Sequence, residues 1–229
     1  MAGVPPPWTG LTFTYPKLHS TPPASLAPSN QKLPSPFVVA IMGGSRNIGA
    51  KSAKAFAAAG ATGIVITSTN EEALNKTKAD ADVGDSSAAK LIADTVQSTY
   101  GRLDVLINNA AIVSTDASAF AKLHGINLEN IEKTMQVNYV GKFSSTKALL
   151  PLLLKTTDGA KTIVNITSAR GTGYGDGRRH AMRCILGIVK EKRQWLSGRY
   201  LSANWDVEEL EGKKEAIVSE DKLKMRMVV

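Results

Sequence analysis

Between residues 37 and 170, short runs of Val, Ile and Leu alternate with longer Ala-rich or amphipathic stretches, and this alternation constrains the fold more than any other feature. Four runs have strand length: Phe37-Val38-Val39-Ala40-Ile41-Met42, Ile64-Val65-Ile66-Thr67, Leu103-Asp104-Val105-Leu106-Ile107 and Lys161-Thr162-Ile163-Val164-Asn165-Ile166. Nearly continuous apolar runs suit strands buried on both faces, which is the environment of a parallel sheet. The intervening segments read as helices. An Ala-rich one ends at Gly60, a polar one starts at Glu71, and a third carries Ile92, Val96 and Tyr100 on one face. Two more fall near Leu128–Met135 and over 139–154. Strands alternating with helices imply right-handed βαβ crossovers and a doubly wound α/β domain with helices on both sheet faces.

The flanks differ. Nine of the ten prolines lie in residues 1–36, so this arm is expected to be an extended lead-in, with the α/β domain occupying 37–229. After Arg170 the rhythm fails: residues 171–198 hold glycines, basic residues and one apolar patch, Ile185-Leu186-Gly187-Ile188-Val189. Residues 199–203 read as a strand, and Asp206 as the cap of a final helix, with Glu209 three residues on.

Size and composition narrow the class. A chain of 229 residues, 43% of them hydrophobic, buries one sizeable core. A lone Cys184 forms no internal disulfide and suits a reducing compartment, so cytoplasm is the expected location. No run approaches the roughly 20 apolar residues of a membrane helix. Of the net charge of +8, residues 175–199 supply most, with seven Lys or Arg against Asp176 and Glu191. That local excess, without aromatic residues spaced for base stacking, is expected to be a solvated or poorly ordered stretch rather than a nucleic-acid surface. His19, His124 and His180 are isolated, so no metal site is expected.

The sharpest chemical signal is Met42-Gly43-Gly44-Ser45-Arg46-Asn47-Ile48-Gly49, which joins the first strand to the first helix. Helix N–H groups and the dipole end there accept a phosphate, and glycine lets the backbone approach it. The motif resembles the first turn of the short-chain dehydrogenase/reductase family, Thr-Gly-x-x-x-Gly-Ile-Gly. Gly43, Ile48 and Gly49 match; Met42 replaces Thr and Asn47 replaces the middle Gly, and Asn is the non-glycine residue that best tolerates a left-handed backbone. Further matches follow in the family's order. Asp82-Val83 resembles its adenine-contacting Asp, Asn108-Asn109-Ala110-Ala111 its Asn-Asn-Ala-Gly, Asn138 its catalytic Asn, and Ser168 its catalytic Ser. The segments 13–19 and 198–206 extend the likeness to a fungal-looking subgroup.

The resemblance implies a Rossmann-like sheet, here incomplete on its C-terminal side, and a nicotinamide cofactor held by Gly43, Ser45, Arg46, Asn47, Ile48, Gly49, Asp82, Asn109 and Ala110. NADP is expected rather than NAD. The end of the second strand reads Thr67-Ser68-Thr69-Asn70, without the acid that binds ribose hydroxyls, and Arg46 suits a 2′-phosphate. Ser168 and Asn138 would serve a carbonyl/alcohol reaction on a small molecule, secondary metabolites included. Homo-oligomers, which the family allows, are not expected here.

One part of the family's pattern is absent. Its proton-donating Tyr is followed four residues later by Lys, and no Tyr-x-x-x-Lys occurs in this chain. The nearest match, Tyr174 with Arg178, lies among glycines and only six residues after Ser168. Relative to the family, on the order of 60 residues are missing between Arg170 and Trp195, on the usual length of such single domains. A deletion, an alternative splice or a misassigned exon each accounts for the gap. The same residues therefore also suit a catalytically silent nucleotide-binding protein or a truncated gene product.

Overall fold

The four apolar runs form four parallel strands in a computed structural model that describes residues 24–68, 86–113, 121–167, 177–203 and 205–224. They are β1 Val38–Met42, β2 Gly63–Ile66, β3 Val105–Asn108 and β4 Thr162–Asn165, and their order in the sheet is β2-β1-β3-β4. Ala40 is aligned with Val65 on one side and Leu106 on the other, and Leu106 with Ile163. The chain leaves β1 toward β2, then returns to place β3 on the opposite side. This reversal opens a crevice at the carboxyl ends of β1 and β3, where sheets of this kind bind ligands.

Seven α-helices are described: α1 Asn47–Ala58, α2 Ser86–Tyr100, α3 Leu128–Met135, α4 Lys142–Lys155, α5 Gly177–Val189, α6 Val207–Gly212 and α7 Lys214–Ser219. A π-helical segment, Gln136–Gly141, joins α3 to α4. Alternation along the strands gives each sheet face its own core. Phe37, Val39, Ile41, Val105 and Ile107 pack with Phe56 of α1 and Ile185, Leu186 and Val189 of α5. Val38, Ala40, Met42 and Leu106 pack with Ile92 and Val96 of α2 and Leu149, Leu152 and Leu153 of α4. Phe37 stacks on Phe56 with ring centroids 6.3 Å apart. At the amino end of the sheet, buried Asp104 accepts the Val38 N–H at 2.8 Å and pairs with Arg102.

Two expectations are corrected. The basic stretch is not a solvated loop: residues 177–189 form α5, with Cys184, Ile185, Leu186 and Val189 buried. Met182, Ile185, Leu186 and Val189 follow the i, i+3, i+4, i+7 spacing of a helical stripe, and their burial offsets the cost of ordering a charged segment. Arg193 then ends the helix by donating to the Gly187 and Ile188 carbonyls at 3.0 and 2.6 Å. The strand expected over 199–203 does not join the sheet. Its backbone is tied instead to the C-terminal segment, with Tyr200 N–H donating to Leu223 O at 2.7 Å, and Leu201 packs into a small core that includes no residue of β1–β4. The adjacent residues Leu196, Trp205, Leu210 and Ile217 form a small satellite core. The helix expected at Asp206 is present, and that carboxylate accepts the Glu209 N–H at 2.9 Å.

The described part of the Pro-rich arm packs onto the domain. Two 3₁₀ turns, Ala24–Leu26 and Pro28–Asn30, lead to Leu26, which is buried against Cys184 and Val207. The polar helix expected from Glu71 lies outside the described residues.

Among the described residues β4 is an edge strand. Its Thr162, Ile163 and Val164 are half-buried and Asn165 is exposed, whereas β1 and β3 are buried throughout.

Candidate active site

The turn after β1 is fixed from three directions. Gly43 N–H donates to Thr67 Oγ1 at 3.1 Å and Gly44 N–H to Thr67 O at 2.8 Å, tying the turn to the end of β2. From the other side, Asn109 Nδ2 donates to Gly43 O at 2.7 Å, and Ala110 N–H donates to Met42 O at 2.7 Å. Gly43 has φ +78, and a β-carbon there would stand 2.8 Å from Ala110 Cα. At Gly49 a β-carbon would collide with the Gly43 carbonyl and stand 2.8 Å from Asn109 Nδ2. The glycines are thus required by close backbone approach.

Asn47 takes up the left-handed conformation with φ +50, in the place where the family motif has glycine. Arg46, exposed and extended, stands at the N-cap of α1 without a side-chain bond to the helix. The 12-residue helix therefore presents its amino end uncapped by a side chain, with a guanidinium beside it, which is the donor set an anionic phosphate needs. Ser45, half-buried, meets Ser68 just past β2, the two Oγ atoms 2.6 Å apart. Ile48 is half-buried on the first turn of α1.

Asn138 lies within the π-helical segment, where the widened turn lets its side chain reach across to the chain leaving β3. Its Oδ1 accepts the Ile112 N–H and its Nδ2 donates to Ile112 O, both at 2.8 Å. Below it, fully buried Asn108 donates from Nδ2 to Thr146 Oγ1 at 3.0 Å and to Asn165 Oδ1 at 2.9 Å. These bonds clamp α4 to the carboxyl ends of β3 and β4. Lys142, one turn beyond Asn138, donates to Ile166 O at 3.3 Å.

The structure thus brings Gly43, Gly49, Asn109 and Ala110 into one cradle, with Ser45, Arg46, Asn47 and Ile48 at its rim, and sets Asn138 on the adjoining wall. Asp82, Ser168 and Tyr174 lie outside the described residues. Thr67 and Ser68, marked in the sequence only by the lack of an acid after the second strand, turn out to hold the glycine turn. Asn165, Thr146 and Lys142 carry no local signal and are joined only by the fold. Cys184 belongs to the core, where burial pushes its thiol up to about 12 and leaves no thiolate for chemistry at neutral pH. No group of three potential metal ligands occurs among the described residues, and none of their helices is long and apolar enough to cross a membrane.

A parallel sheet reversing at β1, with a glycine cradle at the carboxyl end of its first strand, defines a Rossmann-like α/β domain. The short chain dehydrogenase family model matches residues 37–178, and the chain belongs to that family. Among curated relatives, the short chain dehydrogenase pgmD of Aspergillus terreus is 30% identical, the alignment covering 96% of this chain and 95% of that protein. The short chain dehydrogenase citE of Monascus ruber is 29% identical, with 98% and 99% covered. Each alignment runs over 298 positions, and a chain of 229 residues leaves at least 69 of them opposite gaps. Among solved structures, a short chain dehydrogenase from Escherichia coli CFT073 complexed with NADPH superposes with a TM-score of 0.53 at 26% identity, covering 67% of this chain and 68% of that one. A second, from Shigella flexneri and complexed with NADP, gives 0.54 at 24% identity over 71% and 76%, a likeness of fold.

Proposed function

We propose that the chain binds NADP(H) in the cradle of residues 43–49 and belongs to the carbonyl/alcohol oxidoreductases of small molecules, secondary metabolites included. The observation that carries this is the pairing of Arg46, at the uncapped amino end of α1, with a β2 terminus whose Thr67 and Ser68 bear no carboxylate. Among the described residues, a 2′-phosphate would meet a cation there and no acid. The backbone around Gly43 and Gly49 would hold the pyrophosphate, with Asn109 keeping the turn in shape and Ala110 closing its floor. When bound, the cofactor supplies a hydride to a carbonyl carbon. Asn138 acts by position: with both ends of its amide engaged by Ile112, it fixes the strand exit that borders the reactive end. Ser168 would hydrogen-bond the substrate oxygen, and Asp82 the adenine.

Fluorescence titration of NADPH and NADH on the wild type and Arg46→Ala tests the assignment. Tighter NADPH binding that is lost selectively in Arg46→Ala supports it; equal affinities for the two cofactors sink it.

A second reading, a nucleotide-binding protein without turnover, is favoured by the missing Tyr-x-x-x-Lys. A positioned acid/base supplies about 10²–10⁴ in rate, so its absence predicts weak or no catalysis even with cofactor bound. Turnover with a panel of ketones and quinones separates the two readings.

A further inference from the structure

Lys142 occupies an unusual position. Its side chain leaves the start of α4 and reaches the end of β4, where the Ile166 carbonyl is left over by the sheet. Ile166 N–H still donates to Asn108 O at 3.0 Å, but the Ala110 N–H that the parallel register would offer back to Ile166 O is turned toward Met42 O. The ammonium fills that vacancy with one contact at 3.3 Å, at the long edge of hydrogen bonding, and keeps further donors in hand. It makes no ion pair among the described residues, and burial lowers its pKa from the ordinary 10.5 with no carboxylate opposing the shift. Its polar neighbours on this wall are committed: Asn138 to Ile112, and the amide nitrogen of Asn108 to Thr146 and Asn165.

The Arg46 and Ser68 side of the crevice lies over β2. A dinucleotide that crosses the reversal point from there carries its other half over β3 and β4, toward Lys142. We infer that Lys142 is a cofactor-binding residue, donating to a ribose or phosphate oxygen of the nicotinamide half. The inference rests on the NADP(H) reading above. It assigns to an α4 lysine a contact that neither the glycine turn nor the matched family residues provide.

The test compares NADPH with adenosine 2′,5′-bisphosphate, which carries the 2′-phosphate but lacks the nicotinamide half, by calorimetric titration. Lys142→Met should weaken NADPH about tenfold, the size expected for loss of a charge-assisted hydrogen bond, and leave the fragment within about twofold. Lys142→Arg should retain most NADPH affinity, and Lys147→Met, an exposed lysine on the same helix, should change neither ligand. Equal weakening of both ligands would mean that Lys142 acts through the fold, and unchanged NADPH affinity would remove it from the site; either overturns the inference. If Lys142→Met lacks a cooperative unfolding transition, Lys142→Gln carries the same comparison. Wild-type protein that binds neither ligand refutes the NADP(H) reading itself, whereas binding of both with no effect of the substitution refutes only the role of Lys142.

Discussion

Asn109 and Gly43 are joined across the crevice by a 2.7 Å bond from the Asn109 side-chain amide to the Gly43 carbonyl, so the exit of β3 holds the turn after β1 in shape. Asn109→Ala should therefore affect both the fold and the site. Loss of one part-buried hydrogen bond predicts a destabilisation of about 1 kcal/mol. Because the turn relaxes, NADPH affinity should fall as well, measured by urea denaturation and fluorescence titration on the same sample.

Gly49→Ala should be the more damaging change. A β-carbon at Gly49 collides with the Gly43 carbonyl and crowds Asn109 Nδ2, so the turn must open to admit it. A cost of about 1–3 kcal/mol is expected from overpacking, together with loss of the thermal shift that saturating NADPH gives the wild type. A variant with a wild-type shift would show that the cofactor is held elsewhere.

Leu186→Ala tests whether α5 belongs to the core. Leu186 is fully buried between the sheet and α1, so truncation should cost about 2–5 kcal/mol by lost burial and cavity formation. An unchanged denaturation midpoint would mean that the helix contributes nothing to the folded unit.

Cys184 gives a pH signature. Its thiol is raised from an ordinary 9.0 to about 12 in the folded chain, so the folded state holds its proton more tightly than the unfolded state. Stability from this group is fully present below about pH 9 and declines as pH rises toward 12. Cys184→Ala should flatten that part of the stability profile, and a thiol reagent at pH 8 should label the wild type only upon unfolding.

The outer surface of α3, the π segment and α4 exposes Leu128, Met135, Tyr139, Phe143 and Leu154, the first at 64% and Phe143 at 62%. Apolar residues grouped in this way favour association. Low solubility is expected, and Leu128→Glu with Phe143→Glu should raise it without lowering the unfolding midpoint, read by light scattering and thermal melting.

The sheet was legible from local pattern alone. Continuous Val/Ile runs favour burial on both sides: residues 38–42 and 105–108 are buried throughout, 63–66 nearly so, and 162–165 forms the half-buried edge. The cap at Asp206 and the Ile92/Val96 face of α2 are likewise properties of neighbouring residues, as is the tolerance of Asn47 for a left-handed backbone. What escaped local reading depended on distant partners. The stripe Met182-Ile185-Leu186-Val189 was present but hidden among basic residues, and only the uncovered sheet face beside α1 made it a buried helix. Residues 199–203 have the composition of a strand, yet Tyr200 bonds to Leu223 and Leu201 packs with Leu196 and Trp205, so tertiary contacts outside the sheet decide their conformation. The same holds for the candidate site. Its glycines announce themselves by spacing, because they answer to the shape of their own turn. Lys142 carries no such mark: its significance comes from Ile166, 24 residues away, whose carbonyl is left without a partner by the departure of Ala110 toward β1.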